Sequence, residues 1–183
     1  YHQAQYVESI DSLLCVMPRN VRIVNMAQPI NPAVKHPEIV LETGKSPISA
    51  VAHASTMGAT IVANYDREWS MWSHGRTVVK QVLKKVPMMP HVTTTAMVWA
   101  HDRLWGGTNS GSLFSCKIHN DAPMKYGFSE PKEFGVHRDT VTTLLPLPHN
   151  TCIVSASLDA SLYLYDANVN VIRDRSGIVH GHR

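Results

Sequence analysis

Five residues near the C-terminal end have the types and spacing for chemistry: His137, Ser155, Ser157, Asp159 and Tyr165. A serine, a histidine and an aspartate are the set with which a hydrolase activates a nucleophile. That reading makes a demand on shape: the nucleophile must stand exposed on a strained turn, with an oxyanion hole beside it. Here both serines fall inside the run "CIVSAS", Cys152 to Ser157, which reads as mid-strand. No G-x-S-x-G is present. The stretch "SASLDASLYLYD", Ser155 to Asp166, places Asp159 in a tight turn between two strand-like runs. Asn or Gly would serve such a turn more cheaply. The acid therefore needs a partner, because a carboxylate taken out of water has to be paired.

Metal chemistry finds less support. The chain has eleven histidines, but His53, His74, His91, His101, His119, His137 and His149 show neither H-x3-H nor H-E-x-x-H spacing. His180 and His182 in "HGHR" form the one close pair, and a structural role is expected for them rather than a metal site. Cys15, Cys116 and Cys152 are odd in number, widely spaced and without a CxxC pair. They read as buried free thiols in a reducing compartment, hence the cytoplasm, with the nucleus as the alternative.

The elements that must position these residues are short. With 44% hydrophobic and 17% charged residues over 183 positions, the chain has the composition of a folded domain rather than a disordered one. No apolar run reaches the ~18–20 residues of a spanning helix. A chain that opens on Tyr1, in residues that already read as a strand, suggests a piece of a longer polypeptide. Strand-like runs recur throughout: "SLLCVM", "VRIVNM", "ISAVAHA", "ATIVAN", "TVVKQVL", "VTTTAMVWA", "LFSCKI", "TVTTLLPL", "CIVSAS" and "SLYLYD". That is an all-β pattern.

The runs also repeat. From His137, Val141 lies four residues on, Asp159 twenty-two on, and Tyr165 six beyond that. The same offsets from Gly44 give Ile48, Asp66 and Trp72, and from Met88 they give Val92, Ser110 and Cys116. "MPRNVRIVN" fits as the end of an earlier copy, and "GHR" opens a further one at His182. Frame starts at 44, 88, 137 and 182 are spaced 44, 49 and 45 residues, with all the length variation falling after the aromatic position. A fixed core of strands with one free loop region behaves this way.

The last full copy, "VHRDTVTTLLPLPHNTCIVSASLDASLYLYD", resembles the WD40 repeat: the His, the S-x-S-x-D segment, the Pro between strands and the aromatic-Asp ending are all there. The resemblance implies β-propeller blades of four antiparallel strands, about four of them, belonging to a larger ring. The units would run approximately 1–43, 44–87, 88–136 and 137–181. It also implies a role for the opening residues. Asp159 would accept a hydrogen bond from His137, His137 would meet Ser155 or Ser157, and that serine would meet Tyr165. Each charge-assisted bond of this kind is worth about 1.5–3 kcal/mol. The other copies depart from the pattern, with Gly44 and Met88 in place of the His, Ser110 for the Asp and Cys116 for the aromatic.

Function is then expected in the variable segments. Tyr65, Arg67, Met88, Met89, Tyr126, Phe128, Arg138 and Asp139 are the candidates for partner contact, with "IHNDAPMKYGFSEPKEFG" as the longest insertion. The run "RTVVKQVLKKV", Arg76 to Val86, has helical spacing but falls where the frame requires an outer strand with solvated lysines. The expected function is a non-catalytic protein–protein interaction scaffold without a cofactor or small-molecule substrate. Its partners would be other proteins or the rest of its own propeller. The alternatives are a propeller enzyme and a nucleic-acid-binding propeller using Arg67, Arg76, Lys80, Lys84 and Lys85. A net charge of +3 without a dense basic block speaks against the second.

Overall fold

Alternating apolar and polar residues between Gly, Asn and Asp punctuation form short antiparallel strands, as their period of two requires. The computed structural model describes residues 3–7, 10–26, 38–42, 45–74, 78–83, 91–122, 125–129, 132–135, 137–147 and 152–166. The first sheet is β1 (Gln3–Val7), β2 (Ser12–Val16), β3 (Asn20–Asn25) and β4 (Glu38–Glu42). The second is β5 (Ile48–Ala54), β6 (Ala59–Asn64), β7 (Trp69–His74) and β8 (Val78–Leu83). The third holds β9 (Thr94–Ala100), β10 (Arg103–Thr108), β11 (Ser112–Cys116) and, after the hairpin β12 (Ile118–Ala122) and β13 (Lys125–Phe128), β14 (Lys132–Gly135). The fourth shows β15 (Val141–Leu147), β16 (Cys152–Ser157) and β17 (Leu162–Asp166). Within each sheet the strands pair antiparallel in chain order, except that β14 rather than the hairpin follows β11. The stretch with helical spacing is therefore strand β8, paired with β7.

Successive sheets stack face to face through three apolar cores. Leu14, Val21, Ile23 and Leu41 of the first sheet meet Val62 and Trp72 of the second. Ala52, Ile61, Trp69 and Met71 of the second meet Met97, Leu104, Phe114 and Cys116 of the third. Ala96, Val98, Trp105 and Leu113 of the third meet Val141, Ile153 and Tyr165 of the fourth. Neighbouring residues along one strand, such as Ile61 and Val62 or Leu104 and Trp105, enter different cores. That is the strand alternation at work.

Two features hold the stack close. A bulge falls at the same place in three sheets, between Ile48 and Ala50, between Thr94 and Ala96, and between Val141 and Thr143. Gly107 lies where the third sheet approaches the fourth: a Cβ there would stand 2.3 Å from a Val141 methyl. The third copy also corrects the ungapped frame. Thr94, not Val92, takes the place that Val141 has in the fourth sheet, because Thr94 pairs with Thr108 as Val141 pairs with Ser157. The β9–β10 connection is a two-residue turn, His101–Asp102, with φ of 53° and 56°. A tight primed turn of this kind shortens the copy by two residues at that point, and the segment before β9 is two residues longer.

Replacing Gly107 with Ala should cost about 1–3 kcal/mol in urea unfolding, since the new methyl overlaps the Val141 side chain. In a Val141→Ala background the same change should cost clearly less. Equal costs in the two backgrounds would mean that the sheets do not meet there as described.

Candidate functional site

The fourth sheet gathers the polar cluster. His137 enters from the segment before β15, Ser155 stands on β16, and Asp159 and Ser161 lie in the β16–β17 turn. The His137 ring is buried, with Nε2 2.7 Å from Ser155 Oγ and Nδ1 2.7 Å from Ser161 Oγ. Asp159 Oδ1 is 3.5 Å from Nδ1. It accepts from the Ser161 hydroxyl and, at 2.9 Å, from the Ser161 backbone N–H. Its other oxygen accepts the Arg138 N–H at 2.6 Å. Tyr165 is completely buried, with Ser155 beside its hydroxyl. The Tyr163 ring meets His137 edge-on at 4.9 Å.

These contacts fix the direction of every hydrogen. An ionised carboxylate only accepts, so the Ser161 hydroxyl donates to Asp159 and must itself accept from His137 Nδ1–H. Nε2 is then the acceptor of the neutral ring and takes the Ser155 hydroxyl hydrogen. The chain Ser155–His137–Ser161–Asp159 thus donates one way, towards the carboxylate. Burial holds the His137 imidazole below its ordinary 6.5, against the attraction of Asp159. Desolvation pushes the Asp159 carboxyl up, but bonds from Ser161 and Arg138 and the nearness of His137 more than offset it and hold the group well below the usual carboxylate range. Burial raises the Tyr165 phenol above its ordinary value.

Ser157 stands apart from His137. Its hydroxyl donates to the Asp139 carbonyl at 2.9 Å and accepts the Asp159 N–H at 3.2 Å, bracing the entry segment against the turn. Ser161 is the member the sequence reading missed; the D-x-S spacing of an Asx-type turn was the available signal. As a catalytic set the cluster fails on access. Ser155 is completely buried in the strand, so no substrate carbonyl can reach its oxygen.

The surface candidates divide. Tyr65 (58% exposed) and Arg67 lie in the β6–β7 turn, and Arg138 and Asp139 are exposed before β15. Leu158, 65% exposed, occupies in the fourth sheet the turn position that Tyr65 has in the second, and the sequence reading missed it. Arg67 (φ 66°) and Ala160 (φ 63°) are the corresponding left-handed residues of those two turns. Tyr126 and Phe128 are both half-buried and pack on the core between the second and third sheets, with Phe128 edge-on to Trp69 at 5.7 Å. Ile118, on the same hairpin, packs there too and is likewise half-buried. Met88, Met89, Arg76, Lys84 and Lys85 lie outside the described residues, as does the side chain of Lys80.

Among the described residues no group of three His, Cys, Asp or Glu side chains could hold a metal ion. No helix among them is long and apolar enough to cross a membrane. The three cysteines are free, and burial pushes the Cys116 thiol up to about 12, against the lowering effect of Arg103.

Comparisons by sequence, with protein-family models and with curated proteins, give no match. Comparison of structures does. The chain is similar to the computationally designed Ika8 protein, with TM-score 0.65 and 17% identity over 95% of this chain and 48% of that one. It is similar to the Cps50 (Swd1) β-propeller domain of Myceliophteria thermophila, with TM-score 0.64 and 16% identity over 89% of this chain and 50% of that one. Four stacked antiparallel sheets with this likeness are β-propeller blades. The chain spans about half the length of the solved chains it matches.

Two outcomes test the site. A neutral buried His137 means that the unfolded chain binds a proton the folded chain does not. Its stabilisation is whole above pH 6.5 and is lost as pH falls below that value. Asp159 contributes above its ordinary 3.8 and loses its contribution below it. A His137→Gln variant should therefore melt below the wild type at neutral pH, with the gap narrowing as pH falls from 6.5; a gap that stays constant would exclude the buried neutral ring. Separately, Tyr126→Ser combined with Phe128→Ser should destabilise by more than about 2 kcal/mol in denaturant unfolding. A change within about 0.5 kcal/mol would return these aromatics to the surface.

Proposed function

We propose that the chain is a non-catalytic protein–protein interaction scaffold of the WD40 type, built from four blade units of approximately 1–43, 44–87, 88–136 and 137–181. One observation carries the reading: His137 and Ser155 are buried in the fourth sheet, while large side chains stand exposed on turns whose backbone is hydrogen-bonded to the entering segment. Tyr65 N–H donates to the Pro47 carbonyl at 3.0 Å, and Leu158 N–H donates to the Thr140 carbonyl at 3.0 Å. Each turn is thereby tied to the segment entering its own sheet. An aromatic or aliphatic side chain presented on a fixed turn binds with little loss of freedom, which is the property of a contact residue.

Tyr65, Arg67, Leu158, Arg138 and Asp139 are the residues proposed to meet protein partners. Arg offers bidentate pairing to a carboxylate and Tyr a rigid amphipathic face. The free thiols and the resemblance support a cytoplasmic or nuclear setting, with no cofactor required.

Quantitative affinity capture with the whole chain tests this. Tyr65→Ser, Arg67→Ser and Leu158→Ser together should leave stability within about 1 kcal/mol and reduce the most abundant captured protein at least several-fold. Undiminished capture by a folded variant would move the contact surface elsewhere.

A further inference from the structure

The two turns that carry the proposed contact residues are held by different chemistry. In the second sheet the Glu68 N–H donates to the Asn64 side-chain oxygen at 2.9 Å, the Arg67 N–H to the Asn64 carbonyl at 3.0 Å and the Tyr65 N–H to the Pro47 carbonyl at 3.0 Å. Each of those acceptors is an amide oxygen, which no ordinary change of pH alters. In the fourth sheet the Arg138 N–H hangs from the Asp159 carboxylate at 2.6 Å, and the Ser157 hydroxyl holds the Asp139 carbonyl at 2.9 Å. The Leu158 N–H donates to the Thr140 carbonyl of the same entry segment at 3.0 Å. That segment begins at His137, whose ring is buried between the hydroxyls of Ser155 and Ser161. Arg138, Asp139 and Leu158 therefore keep their places only while this ring stays seated.

The groups around the ring come from three elements. The β16–β17 turn brings Asp159, 3.5 Å from Nδ1. Strand β17 brings the phenol rings of Tyr163, edge-on at 4.9 Å, and Tyr165. The turn of the third sheet reaches the His137 backbone at Gly111, and its residues Asn109, Ser110 and Gly111 carry no charge. In the entry segment itself Arg138 is exposed, and the Asp139 carboxylate is taken by the Thr140 N–H at 2.6 Å. One anion thus faces a ring whose Nε2 already accepts from buried Ser155, so a second ring proton has no acceptor waiting for it there.

We infer that the fourth-sheet half of the contact surface is proton-sensitive and the second-sheet half is not: the entry segment leaves the turn by taking a proton onto the freed His137 ring. The ring released into water has its ordinary 6.5, while burial holds the seated ring below that value. The seated form is therefore fully favoured above pH 6.5 and loses ground below it. Relative to alkaline pH, release is favoured about twofold at pH 6.5 and up to about tenfold at pH 5.5. A protein partner gripping Arg138 and Leu158 in the seated form binds more weakly by the same factor, and its binding in turn opposes the proton. The inference rests on reading these turns as contact surfaces and adds to that reading its regulation.

Amide hydrogen exchange of the 183-residue chain, corrected for the intrinsic effect of pH, tests it with the proton as the only ligand. Between about pH 7.5 and 5.5, protection of the Arg138, Leu158 and Ser161 N–H groups should fall several-fold, and that of Tyr65, Arg67 and Glu68 by less than about twofold. His137→Gln should remove the pH dependence of the fourth-sheet turn. Equal losses in the two turns, no loss in either, or a loss that persists in the folded variant would each overturn the inference. Should the variant not fold, the comparison of the two turns within the wild type decides alone. The measurement needs no partner, so a failure of the contact reading in affinity capture and a failure here are told apart.

Discussion

Every sheet in this chain has apolar side chains on both faces, and a strand offers no other option once residues such as Ile61 and Val62, or Leu104 and Trp105, stand side by side. A blade of this kind cannot be stable alone, because one neighbour covers only half of what water must not touch. Stacking is therefore the source of the core, and the strand pairing within a sheet only arranges which residues reach it. The common bulge at Ser49, Thr95 and Thr142 follows from the same need. It bends each innermost strand where the sheets converge, and the Thr95 hydroxyl donates across the gap to the Val141 carbonyl at 2.6 Å.

Turn chemistry varies where packing does not. The fourth sheet holds its β16–β17 turn with the Asp159 carboxylate. The third uses Asn109, whose side-chain oxygen accepts the Thr93 N–H at 3.0 Å. The second uses Asn64, which accepts the Glu68 N–H at 2.9 Å. All three answers satisfy a backbone donor of the turn or of the segment entering the sheet with a side-chain oxygen. A left-handed residue follows at the equivalent place in each turn, as Arg67, Gly111 and Ala160. At Gly111 the reason for glycine is double, since a Cβ there would also meet the His137 carbonyl at 2.3 Å.

The all-β propeller was legible because strand periodicity and the repeat survive substitution: Trp69, Leu113 and Leu162 hold one strand position in three copies, buried in the first two and half-buried in the last. β10 was missing from the strand-like runs because Gly106 and Gly107 weaken any strand signal read locally. The reason for them is long-range. The Phe114 ring fills the space of one Cβ and the Val141 side chain that of the other. The two-residue offset in the third copy escaped notice for a related reason, as a shorter turn and a longer entry cancel in the count. The packing of Tyr126 and Phe128 was not legible because an insertion looks like surface until the sheets that receive it are known. Ser161 was hidden by its type: a serine in a turn is ordinary, and only the distance to His137 shows what it carries.

The polar chain of the fourth sheet does a different job from the apolar cores. The second and third sheets are gripped on both faces by apolar neighbours, and there Gly44 stands at the frame's His position and Ser110 at its Asp position without loss of the blade. His137, Ser155, Ser161 and Asp159 supply directional bonds between the entry segment, the middle strand and the turn of the fourth sheet. Thr140, in the same entry segment, donates to the Asn109 carbonyl at 3.2 Å and extends the brace to the third sheet. Directional bonds thus fix the turn and the entry segment relative to the strands, which apolar contact, having no preferred direction, does not do.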